Sequence, residues 1–169
     1  MIWFNPFLEF ILMKKHSYKI IGLATILTII LIRLLAEPYR LSGDCMEPAF
    51  MNKQLYFLNK IVPYLRPYKI NDVILFKHEN KTWIARIVAL ENNTLQITDG
   101  SIVVNNQALD DTQIDRNWSG WNYGTHAIDK PLQIPVNHVF VLSDNLSAKH
   151  DDSRVFGPIS NACILGLVW

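Results

Sequence analysis

One long apolar run near the start constrains this chain more than any other feature. From Tyr18 to Leu35 it reads YKIIGLATILTIILIRLL, and Ile20–Ile32 carries no charge. As a helix, Tyr18–Ala36 would rise about 28 Å, close to the ~30 Å hydrocarbon core of a bilayer. Arg33 stands near one end, where its long side chain can reach the interface. A cleavable leader would need a small-x-small site after the run. The next residues are Ala36, Glu37, Pro38, Tyr39 and Arg40. The expectation is an uncleaved transmembrane anchor over residues 18–36. Residues 1–17 then form a cytoplasmic or interfacial segment, with translation from Met13 as an alternative start. Lys14, Lys15 and Lys19 hold that side in the cytoplasm, so residues 37–169 are exported.

Beyond Pro38 the periodicity turns strand-like. Runs rich in β-branched and aromatic residues recur at Gln54–Leu58, Asp72–Lys77, Thr82–Leu90, Thr94–Thr98, Ser101–Val104, His138–Leu142 and Ile164–Trp169. Asp99-Gly100 reads as a hairpin turn between two of them. No long amphipathic helix follows the apolar run. The expected fold is mainly β: one transmembrane helix, then an antiparallel sandwich or barrel-like domain. The polar stretch Leu109–Leu132, with Trp118, Trp121 and Tyr123, reads as a surface excursion, either a binding loop or one pinned by its own aromatics. Ile61–Leu65 reads as core packing more than as a segment dipping into lipid.

Net charge is +1 over 169 residues, which gives no footing for a nucleic-acid partner. Two cysteines, Cys45 and Cys163, are too few for a disulfide framework. His78, His126 and His138 lack metal-ligand spacing, and no cofactor motif is present.

Three stretches carry chemistry. They are Gly43-Asp44-Cys45-Met46-Glu47-Pro48-Ala49-Phe50, then Trp83-Ile84-Ala85-Arg86-Ile87-Val88-Ala89-Leu90, then Ser143-Asp144-Asn145 continuing to Asp152-Ser153-Arg154-Val155-Phe156-Gly157. In order and spacing, behind an apolar anchor, they resemble the signal peptidase I family from about Leu35 to Trp169. The resemblance implies a β fold around a groove that holds an extended signal peptide near the membrane surface. The implied partners are signal peptides of exported preproteins and membrane lipid. It also implies a nucleophile at position 45, whose backbone N–H helps hold the oxyanion, and a lysine base at position 85. Met46, Pro48, Arg86, Asp144, Asp152, Ser153 and Arg154 would support the site.

This chain departs from the family at both reacting positions: Cys45 replaces serine and Ala85 replaces lysine. A serine hydroxyl without a base is inert, whereas a free thiol is already a few per cent ionised near neutral pH. His150, two residues before Asp152, is the expected partner of Cys45, acting as general base and then acid, with Asp151 as its orienting group. It would project toward the space that Ala85 leaves empty. Arg86 stays protonated and cannot substitute as a base. It is expected to pair with a carboxylate that Asp144 or Asp152 could supply, with Asp152–Arg86 or Asp144–Arg154 as the favoured pairing. Two functions stay open: a thiol endopeptidase of exported preproteins, and a catalytically silent relative that binds them or assists their assembly.

Overall fold

The computed structural model describes residues 6–110, 119–146 and 150–169. Two compact units divide the chain, residues 1–36 and 37–169. The first contains α1 (Pro6–Leu35). Ile20, Leu23, Leu27, Ile30 and Leu31 are all exposed, and so are Ile21, Ile26, Ile29 and Ile32. This part of the helix is therefore apolar on every face instead of along one stripe. Among the described residues, no helix is long and apolar enough to cross a membrane. Side chains of Lys14 and Lys15, on which the expected orientation rests, lie outside the described residues, as does segment 1–5.

The second unit is mainly β. Its strands are β1 (Ala36–Arg40), β2 (Leu55–Asn59), β3 (Val73–His78), β4 (Lys81–Ala89), β5 (Thr94–Thr98), β6 (Ser101–Val104), β7 (Gln107–Ala108), β8 (Leu132–Gln133), β9 (His138–Leu142), β10 (Ile159–Ser160) and β11 (Ile164–Val168). Two single-turn helices, α2 (Val62–Leu65) and α3 (Ser153–Phe156), interrupt them. A seven-stranded sheet runs β1-β2-β11-β3-β4-β9-β10, and a four-stranded sheet runs β7-β6-β5-β8. Their ladders are antiparallel. All seven expected strands form, with ends shifted by a residue or so. The unexpected ones are two-residue pieces, too short for alternation to show, and β1, whose Pro38 fits only an edge strand.

Tight turns set the register. Asp99 and Gly100 have φ of 46° and 71°, and the flanking Thr98 and Ser101 pair directly. Positive φ at both central residues gives the turn whose twist matches its strands. Glu79-Asn80 makes the same turn between β3 and β4, at φ of 47° and 62°.

β3 is buried on both faces, so it separates two cores. Ile74 and Phe76 pack with Ala85, Ile87, Val139, Val141 and Leu167. Val73 and Leu75 pack with Leu41, Met46, Leu58, Ile84 and Val168. A third core joins Val88, Ala89, Phe140 and Leu142 to Leu95, Ile97, Ile102 and Val104 of the smaller sheet. Burying one such side chain contributes about 1.5–3 kcal/mol, so β3 and β4 carry much of the domain's stability.

Two further readings are settled. Core packing of Ile61–Leu65 holds only in part: Val62 packs half-buried against the core of Ile74 and Phe76, while Tyr64 and Leu65 are 87% and 76% exposed. α2 is a single turn with Pro63 at its start, too short to lay a continuous apolar stripe on that core. Among its described residues, the excursion 109–132 is pinned around Gly120 and Trp121: Trp121 packs on the third core, and Arg154 Nη1 donates to the Gly120 and Trp121 carbonyls at 3.0 and 3.1 Å. Trp118 lies outside the described residues.

Candidate active site

Cys45 stands on one helical turn between β1 and β2. Glu47 N–H donates to the Asp44 carbonyl at 3.2 Å and Phe50 N–H to the Met46 carbonyl at 2.8 Å. Gly43 enters the turn at φ 114°, a conformation that suits glycine. Met46 is fully buried and anchors the turn in the core with Leu41 and Leu58, while Asp44 and Pro48 are exposed. Cys45 lies between them, half-buried. Asn145 ties this turn to the third motif: its N–H donates to the Cys45 carbonyl at 2.8 Å and its Nδ2 to the Asp44 carbonyl at 3.1 Å.

The arginine pairing is the reverse of the expectation. Arg86 grips Asp144 with two bonds, Nε to Oδ1 at 2.9 Å and Nη2 to Oδ2 at 2.6 Å. Arg154 grips Asp152, Nε to Oδ1 and Nη2 to Oδ2, both at 2.9 Å. Register explains the exchange. Arg86 stands opposite Leu142 in the β4–β9 ladder, and Asp144, two residues on, lies toward the same face. Asp152 caps α3, accepting from Arg154 N–H at 3.0 Å, which brings the guanidinium back onto the same carboxylate. Ser153 Oγ accepts from Val141 N–H at 3.0 Å, and Asp152 Oδ2 from Ser143 N–H at 3.1 Å, so α3 is locked to the end of β9.

These supports frame a cavity of about 230 Å³ lined by Tyr39, Ser42, Cys45, Lys81–Ile84, Ser143, His150 and Asp151. Cys45 and His150 thus share one cavity. Ala85 is not among its walls. It is 1% exposed in the core of Phe76 and Val141, while its neighbour Ile84, on the other face of β4, lines the cavity. The expectation that His150 faces a space left by Ala85 is corrected accordingly: strand alternation turns position 85 into the opposite core. His150 Nε2 bonds Asp44 Oδ1 at 2.7 Å. The expected orienting group, Asp151, instead accepts from the Tyr123 hydroxyl at 3.1 Å. Cys45 and Cys163 are both free, and they pack in cores on opposite faces of β3.

Along the cavity, β4 has an open edge. It pairs with β3 from Lys81 to Arg86 but with β9 only from Arg86 to Ala89. Among the described residues, Lys81–Ala85 therefore has no ladder partner on the β9 side. Such an edge presents backbone N–H and C=O groups to any extended chain.

Burial pushes the Cys45 thiol up to about 11; its own amide N–H opposes this, and the negative charges of Asp44, Asp144 and Asp152 each add a lesser upward push. The hydrogen bond from His150 holds the Asp44 carboxyl below its ordinary range. Reading the sequence missed Asp44, Tyr39, Ser42, Lys81 and Thr82. Of these, only Asp44 carried a signal, its place beside the nucleophile position.

Residues 14–169 match the family described as "Signal peptidase, peptidase S26". Signal peptidase I of Bacillus amyloliquefaciens is 23% identical over 151 residues, which cover 88% of this chain and 82% of that protein. Signal peptidase I S of Bacillus subtilis is 24% identical over 162 residues, 90% of this chain and 88% of that one. A crystal structure of a signal peptidase I from Enterococcus faecalis is similar over 60% of this chain and 97% of its own, at 21% identity and a TM-score of 0.48. With a family match running from residue 14 to the last residue, this chain belongs to the signal peptidase I family.

Proposed function

We propose that this chain is a signal peptidase I-like endopeptidase that binds the signal-peptide region of exported preproteins and cleaves it with Cys45. The observation that supports this most is the cavity shared by Cys45 and His150 beside the open edge of β4. An extended peptide laid on Lys81–Ile84 gains backbone hydrogen bonds of the kind that join strands. Its carbonyl carbon then comes to Cys45 Sγ.

In the proposed reaction, the thiol proton passes to His150 as sulfur bonds the carbonyl carbon. The oxyanion of the tetrahedral adduct takes the Cys45 amide N–H. The C–N bond breaks, and the imidazolium returns its proton to the departing amine. Water, deprotonated by His150, then hydrolyses the thioester. α1, apolar on every described face, serves in this reading as a membrane anchor, with residues 37–169 on the outer face of the cytoplasmic membrane.

One observation favours a second reading, binding without cleavage: the resting thiol is held far from ionisation, at about 11. Cleavage of an exported precursor by the full chain separates the two. The peptidase reading expects product from the wild type and none from Cys45→Ala or His150→Ala. Full activity in either variant overturns it. A wild type that binds precursor and never cuts it establishes the second.

A further inference from the structure

Within the reading of Cys45 as nucleophile and His150 as base, we propose that Asp44 is the positioning residue that fixes the His150 tautomer. A carboxylate only accepts hydrogen bonds, so its 2.7 Å contact requires the hydrogen on His150 Nε2. A neutral imidazole carries one N–H, so Nδ1 keeps the lone pair and is the nitrogen left to accept a proton. An acid–imidazole–nucleophile relay needs that arrangement.

The fold supplies it locally. Asp44 immediately precedes Cys45 on one turn, and that turn is clamped by both Asn145 hydrogen bonds. Asp151 is committed to Tyr123. The other charged groups around the cavity are Lys81 and Asp151 on its wall, with Asp144 and Asp152 acting on the thiol from the β9 end. Each of those two is gripped by its own arginine. Among the described residues Asp44 is the carboxylate bonded to the His150 ring.

The opposite role for Asp44 predicts an opposite sign. As a bare negative charge beside the thiol, it would only suppress ionisation, and its removal would speed reaction of Cys45. As a positioning group, its removal slows that reaction. The test uses the full chain in detergent micelles, with iodoacetamide as probe and peptide mapping to separate Cys45 from Cys163. His150→Ala should slow alkylation of Cys45 near neutral pH about tenfold. Asp44→Ala should slow it by a similar factor, and the double variant should add little, because both act on one step. Nitrogen-15 spectra of histidine-labelled chain should show His150 as the Nε2–H tautomer in wild type, and a mixture in Asp44→Ala.

Faster or unchanged alkylation in Asp44→Ala, while His150→Ala is slow, overturns the positioning role and leaves the nucleophile reading standing. An Nδ1–H tautomer in wild type does the same. Unchanged alkylation in His150→Ala overturns the base role itself, and the inference with it.

Discussion

Arg86 and Asp144 are joined by two hydrogen bonds, of 2.9 and 2.6 Å, across the junction where β9 leaves β4. Asp144 is fully buried and the Arg86 side chain is 11% exposed. The pair holds the end of β9 against β4 and so places Ser143 and Asn145 beside Cys45. Arg86→Ala removes the guanidinium from a buried carboxylate, a change of the kind that costs about 3–5 kcal/mol. Urea unfolding should show that loss. Arg86→Lys should recover only part of it, since an ammonium cannot reproduce a two-point fork.

Cys45 should titrate late. Its alkylation rate in the resting chain is expected to rise toward a midpoint near 11, above the ordinary thiol range. The sign for stability follows. The folded state holds this proton more tightly than the unfolded one. The contribution is therefore complete below the unfolded value and is lost as pH rises from there through about 11. At roughly 1.4 kcal/mol per pKa unit, it amounts to about 2–3 kcal/mol. Cys45→Ala should lack this term in denaturation curves compared with wild type between about pH 8 and 11.

Gly124 should tolerate no side chain. It has φ 112°, and a Cβ there would lie 2.4 Å from the Arg154 carbonyl oxygen and 2.5 Å from its carbon. That carbonyl already accepts from the Thr125 and His126 N–H groups, at 2.8 and 2.9 Å, so it cannot shift cheaply. Gly124→Ala is expected to cost about 2–4 kcal/mol through backbone strain and displacement of α3. Thermal unfolding would register it, and an unchanged midpoint would refute the close packing.

The apolar helix gives a fourth expectation. The full chain should sediment with membranes and resist alkaline extraction, while removal of residues 1–35 should leave residues 36–169 in the supernatant. An extractable full chain would overturn the anchor proposed for α1.

What the sequence determined by itself was local. Alternation in Thr94–Thr98 and Ser101–Val104, joined by Asp99-Gly100, is a short-range code, and the hairpin forms as read. The order of the three motifs was likewise enough to identify the family, because it is a property of the chain. Which arginine meets which carboxylate was decided only by the tertiary structure. The β4–β9 register carries Asp144 to Arg86 over 58 positions, and the cap of α3 returns Arg154 to Asp152 over two. The same holds for the site. Position 85 faces the core opposite the cavity because strand neighbours alternate, and His150 meets Asp44 because a turn and a distant loop are clamped together by Asn145. The long-range contacts among these depend on how strands stack and pair, and no local pattern of residue types encodes that.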